Sequence, residues 1–101
     1  MILEVAFLQV IPERISEFEA AFESAQGIIS SMPGCLGHQL QKNLEVPNRY
    51  LLMVKWENLE DHTVGFRKSP DYQRWKNLLH HFYSPFPDVT YYTLKYDHFS
   101  T

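Results

Sequence analysis

Two side chains of this sequence are suited to work together on a small molecule: Trp56, which closes an apolar run, and His62, a little further along. An imidazole titrates near neutrality and can take a proton from a substrate. An indole offers an N–H to a substrate oxygen and a flat face for stacking. His62 is therefore read as a proton acceptor and Trp56 as the residue that orients the substrate. Each has a plainer reading too, His62 as a hydrogen-bonded structural histidine on a helix and Trp56 as core. The adjacent His80 and His81 invite a metal, but neighbours on a helix point about 100° apart and chelate one ion poorly. Capping of a helix C-terminus explains them more simply, and no metal site is expected. Cys35 is the sole cysteine, which excludes an internal disulfide and a cysteine-based zinc site. Between Gly34 and Leu36 it reads as a small apolar residue at a strand start rather than a nucleophile.

The elements that must position these residues follow from the hydrophobic pattern. Ile2 to Ile11 is apolar on both alternating faces, interrupted strongly only by Glu4 and Gln9, which predicts a strand covered on both sides. Helices would supply one cover and a partner subunit the other. Pro12 and Glu13 open a helix whose stripe is Ile15, Phe18, Phe22, Ala25 and Ile29, a core face, and Met32-Pro33-Gly34 ends it. A second strand runs from Leu36 to Asn43 and, after a turn at Val46-Pro47-Asn48, a third from Arg49 to Glu57. In the third, Tyr50, Leu52, Val54 and Trp56 share a face. Asn58 is expected to cap a short helix through Phe66, Ser69-Pro70 to break it, and Asp71 to His81 to form another. Thr90 to Tyr96 makes a last strand. The order predicts an α+β, ferredoxin-like unit with an antiparallel four-stranded sheet, one domain over residues 1–101.

Composition narrows the partners. A formal charge of −3 with no Lys/Arg cluster argues against nucleic acid and acidic lipid surfaces. No apolar run approaches the roughly 20 residues of a membrane span, and no secretory signal is recognised, so a cytoplasmic protein is expected. Aromatics are 15% of the chain, more than one small core can hold, so some must line a cavity or an interface.

The run Trp56-Glu57-Asn58-Leu59-Glu60-Asp61-His62, the following Phe66-Arg67-Lys68-Ser69-Pro70-Asp71-Tyr72, and the earlier Met32-Pro33-Gly34-Cys35-Leu36-Gly37 resemble the antibiotic biosynthesis monooxygenase family. The resemblance spans nearly the whole chain. The closing run His80-His81-Phe82-Tyr83-Ser84-Pro85-Phe86-Pro87 is similar to one bacterial branch of it. It implies a homodimeric α+β barrel whose sheets pack face to face, with a pocket between sheet and helices in each subunit. It also implies oxidation of a small, apolar, aromatic or polyketide-like substrate without metal or flavin.

Quinone-forming members carry an Asn four residues before the Trp and a Tyr six residues after it; here those positions are Leu52 and His62. Leu52, Phe66, Tyr72, Trp75 and Phe82 are the expected substrate-binding residues, with core packing as their other reading. Two further functions stay open: a non-catalytic dimer that sequesters a hydrophobic ligand, and a haem-degrading enzyme with His80 or His81 as ligand. Haem-degrading relatives have an Asn in the first strand that is absent here, and Phe66 lies near the position of their Trp. Sugar-isomerising relatives have a His near Phe66, and Phe disfavours so polar a substrate.

Overall fold

The computed structural model describes residues 1–99. Ile2–Gln9 form β1, Ile15–Ser30 α1, Cys35–Lys42 β2, Arg49–Trp56 β3, Pro70–Leu79 α2 and Val89–Tyr92 β4. All pairings are antiparallel and the strand order is β2-β3-β1-β4, the ferredoxin-like α+β arrangement that the pattern predicts.

Strand alternation decides which residues face the helices. On β1 these are Glu4, Ala6 and Leu8, and on β3 Tyr50, Leu52, Val54 and Trp56, all buried. Directly paired residues share a face, and the register sets Glu4 opposite Val54, Ala6 opposite Leu52 and Leu8 opposite Tyr50. From the other side α1 buries Phe18, Phe22, Ala25, Ile28 and Ile29, and α2 buries Trp75 and Leu79. Full burial of such side chains contributes about 1.5–3 kcal/mol each, enough to hold two short helices to the sheet. His38 on β2 adds a polar tie to α1, its ring nitrogens meeting Ser30 Oγ at 2.7 Å and Gln26 Oε1 at 3.0 Å.

Several element ends differ from expectation. β1 stops at Gln9 rather than Ile11, because at Val10 the chain leaves β3: its N–H donates to Asn48 O and it bridges to Tyr83. β4 stops at Tyr92 rather than Tyr96. Tyr92 pairs with Leu3, so two further steps bring the chain to Met1, where its partner strand has run out. α2 starts one residue early, with Pro70 in its first turn and Ser69 Oγ accepting the Tyr72 N–H at 3.2 Å. It gives way at Leu79 to a tighter turn over His80–Phe82.

Asn58 does not act as the expected side-chain cap. Its own N–H donates instead to Asp61 Oδ2 at 3.0 Å. Beyond a half-turn at Leu59 and Glu60, the segment Asp61–Phe66 is wound as a π-helix. Gly34 fixes where this segment lies: its φ is +83°, its carbonyl accepts the Glu57 N–H at 2.8 Å, and a Cβ there would collide with the Asp61 carboxylate.

Candidate active site

Four elements each contribute one polar group to a single buried chain of contacts. Glu4 comes from the middle of β1, where the alternation that buries Ala6 and Leu8 also turns the carboxylate inward, leaving it 4% exposed. A buried carboxylate needs a donor. Trp56, at the end of β3 and fully buried, supplies one: its Nε1–H donates to Glu4 Oε1 at 2.9 Å. His62 brings Nε2 to 3.4 Å from the same oxygen, at the long edge of an N–H···O contact. On its other side Nδ1 shares a 2.7 Å hydrogen bond with the hydroxyl of Tyr91, which stands opposite Glu4 in the β1–β4 register.

The π winding explains how His62 reaches this place. The Arg67 N–H donates to His62 O at 3.1 Å, a bond that spans five residues. In an α-helix those two residues would point about 140° apart; the wider ring brings Arg67 back toward the side of His62. His62 and Phe66 are both buried and lean on Trp56, with ring centroids 5.4 and 6.1 Å away. Phe66 in turn meets Tyr72 edge-on at 5.3 Å and Trp75 at 6.0 Å.

Burial drives both central groups toward their neutral forms. It pushes the Glu4 carboxyl above the ordinary carboxylate range, against the Trp56 hydrogen bond and the Arg67 charge, which pull it down. It draws the His62 imidazolium down to about 4, with Arg67 adding to the effect. Tyr91 is raised by burial as well. With its proton on Nε2, His62 accepts from the Tyr91 hydroxyl; with it on Nδ1, it donates to the Tyr91 oxygen. The ring thus hydrogen-bonds the half-buried phenol in either tautomer, while its 3.4 Å approach to the carboxylate is a close contact without a hydrogen bond.

Beside this chain lies a cavity of about 60 Å3 between sheet and helices, lined by Glu4, Leu52, His62, Phe66, Arg67, Tyr72, Trp75, His80 and the connection from Tyr83 to Val89. Of the residues expected to meet a substrate, His62, Leu52, Phe66, Tyr72 and Trp75 are brought together here. Two are not. Phe82 sits in the core, 5.8 Å from Phe18 and under the Arg14 guanidinium at 4.6 Å, because the turn over His80–Phe82 aims it away. Trp56 stands behind His62 with its N–H committed to Glu4, so it touches the cavity through Glu4 and not with its own ring.

His80 stands at the C-cap position of α2, as expected, its N–H donating to Lys76 O, and its ring also lines the cavity, 5.0 Å from the Phe86 ring, while His81 stacks on Phe82 at 4.2 Å. Among the described residues no three His, Cys, Asp or Glu side chains are grouped to hold a metal. At about 60 Å3 the cavity holds a few waters as it stands, so a porphyrin and a single aromatic ring alike would require it to open. Cys35 is half-buried and its thiol is raised by burial.

Sequence reasoning missed Glu4, Tyr91 and Arg67. Glu4 left a signal, an acidic residue on the covered face of an otherwise apolar strand. The other two left none, since they depend on the β4 register and on the π winding.

Comparison with known proteins agrees with this architecture. The family model for antibiotic biosynthesis monooxygenases matches residues 1–78. The chain is 51% identical over 92 residues to the uncharacterized protein YczJ of Bacillus subtilis, covering 91% of this chain and 97% of YczJ. A Bordetella bronchiseptica structure, provisionally described as an antibiotic biosynthesis monooxygenase, superposes with a TM-score of 0.89 at 35% identity, covering 94% of this chain and 97% of its own. SnoaB, a cofactor-independent oxygenase from Streptomyces nogalater solved as a mutant, superposes with a TM-score of 0.82 at 17% identity, covering 95% of this chain and 94% of SnoaB. At that identity SnoaB speaks for the fold alone. No helix among the described residues is long and apolar enough to cross a membrane.

Proposed function

The chain belongs to the antibiotic biosynthesis monooxygenase family, and from that premise we propose that it is a cofactor-independent monooxygenase acting on a small, apolar, aromatic or polyketide-like substrate. The observation that carries the reading is Glu4 in the cavity wall. Its contacts to Trp56 and His62 both use Oε1, leaving Oε2 to accept a proton from the cavity. A carboxyl raised by burial is a stronger base than an exposed one, and so better matched to a weakly acidic phenol or enol.

Such a reaction needs no metal or flavin because the substrate supplies the electrons. The acidic O–H proton passes to Glu4. The resulting anion gives one electron to dioxygen, and the radical pair combines into a carbon–oxygen bond. The peroxide takes the proton back, and the hydroperoxide then loses water: its carbon's C–H electron pair becomes the second bond of a new carbonyl as the O–O bond breaks. One oxygen atom ends in the quinone and the other in water. His62, which the sequence suggested as the acceptor, here packs beside the Glu4 carboxylate and is held by Tyr91, while the aromatic walls exclude competing water. At about 60 Å3 the cavity must open to admit an aromatic ring, and the connection bearing Phe86 lines it on one side.

The same proposal includes a homodimer in the cytoplasm. The sheet face away from the helices leaves Phe7 62% and Tyr92 52% exposed, apolar surface suited to a second copy.

Oxygen uptake over a panel of polycyclic phenols tests the activity. Glu4→Gln should lower kcat by about 100-fold or more, and His62→Ala by less. Unchanged turnover in both would remove the proton-acceptor assignment. A ligand that binds and survives aeration unaltered would favour the sequestering dimer, and a Soret band on haem titration the haem reading.

A further inference from the structure

We propose that the cavity selects an apolar molecule carrying one anionic oxygen, a phenolate, enolate or carboxylate, and that Arg67 is the residue that binds that oxygen. The inference rests on reading this cavity as the substrate site and adds the class of molecule it prefers.

Arg67 is the only Lys or Arg among the residues lining the cavity. Arg14, Lys42 and Arg74 each hold a carboxylate within 3.0 Å. Among the described residues Arg67 makes no such pair and no side-chain hydrogen bond, although its backbone is fixed by the π-helical bond to His62. Its position is thus set by the fold while its guanidinium is uncommitted, and the planar fork suits a carboxylate or an oxyanion. The side chain is exposed, so it stands at the cavity's outer edge, with Glu4 and His62 deeper inside.

The electrostatics agree. The Arg67 charge pulls Glu4 toward its anionic form and opposes protonation of both His62 and His80. A cavity biased in this way disfavours cationic ligands. It also helps the proposed reaction: when a proton moves from substrate to Glu4, negative charge shifts from the buried carboxylate toward the mouth, nearer to Arg67. The guanidinium then stabilises the anion that must react with dioxygen.

Benzoate and benzyl alcohol, nearly the same in shape and different in charge, make the test, with binding followed by NMR titration at low salt. Wild type should bind benzoate about tenfold more tightly than benzyl alcohol, the scale of one partly solvated charge contact. Arg67→Gln should abolish the difference and Arg67→Lys should keep most of it. Equal binding of the two probes by wild type, a preference that survives Arg67→Gln, or no binding of either would overturn the proposal. Oxygen uptake is not involved, so an anion preference without turnover would retain this subsite while rejecting the oxygenase, and turnover without the preference would do the reverse.

Discussion

The two faces of the sheet are built from alternate residues of the same strands, yet they end in opposite conditions. Toward the helices, Glu4, Ala6 and Leu8 of β1 are all buried, and the carboxylate and the His62 imidazole are kept there at a desolvation cost that their mutual contacts offset in part. Away from the helices Val5 is covered but Phe7 lies bare, and beyond β4 Leu94, Tyr96 and Phe99 are exposed, the last at 95%. One face spends polar groups in an apolar interior; the other leaves apolar groups in water. The first is a sign of chemistry, because a buried acid is retained against its stability cost, and the second is a sign of assembly.

The largest test of this contrast is Trp56→Ala, which should cost about 4 kcal/mol in chemical denaturation, because it opens a core cavity and strips Glu4 of its donor. A loss no greater than that of an exposed residue would mean that the covered face is not organised around this contact. Gly34→Ala comes next, at about 2 kcal/mol, since the positive φ and the Asp61 side chain both oppose a Cβ. Urea midpoints would show it.

The pH dependence sharpens the comparison further. His62 has a folded pKa of about 4, below the usual 6.5, so between those values the unfolded chain binds the proton first. Stability is therefore full above pH 6.5 and falls as the pH is lowered toward 4, by about 2 kcal/mol after allowance for relaxation. Glu4, with a raised folded pKa, acts in the opposite sense and favours the folded state as it takes up its proton. In Glu4→Gln the His62 limb should stand alone and steepen; an unaltered profile would contradict the coupling.

Tyr91→Phe should cost about 1 kcal/mol through the lost bond to His62 and should change the pH profile of turnover more than its maximum. The smallest effect on folding is expected on the open face. Phe7→Glu should shift stability of the isolated subunit by no more than about 0.5 kcal/mol while abolishing association in light scattering. If it unfolded the subunit and left the association state alone, the assignment of the two faces would be reversed.

Much of the fold was legible in local pattern. The helical stripe from Ile15 to Ile29 and the alternation of Tyr50, Leu52, Val54 and Trp56 each follow from one residue per period facing the core, and both are seen. Element ends were less legible because they depend on neighbours: the last strand is rich in β-formers to Tyr96 but stops where its partner does. The site divides in the same way. Leu52, Phe66, Tyr72 and Trp75 could be placed near one another from the family resemblance and the apolar pattern. Phe82 could not be separated from them, since a one-residue change in turn geometry decides whether a ring points into the cavity or the core.

By itself, then, the sequence determined the order of elements, the covered faces of strand and helix, and the presence of one acidic residue where an apolar one would be expected. These are properties of periodicity and residue type, which act over a few neighbours. Only the tertiary structure decided that Glu4, Trp56, His62 and Tyr91 meet, that Arg67 stands beside them, and that His80 faces the cavity. Those contacts join residues up to 58 positions apart and pass through a π-helical turn. Strand register and helix winding set them, and neither is written in any local run of the chain.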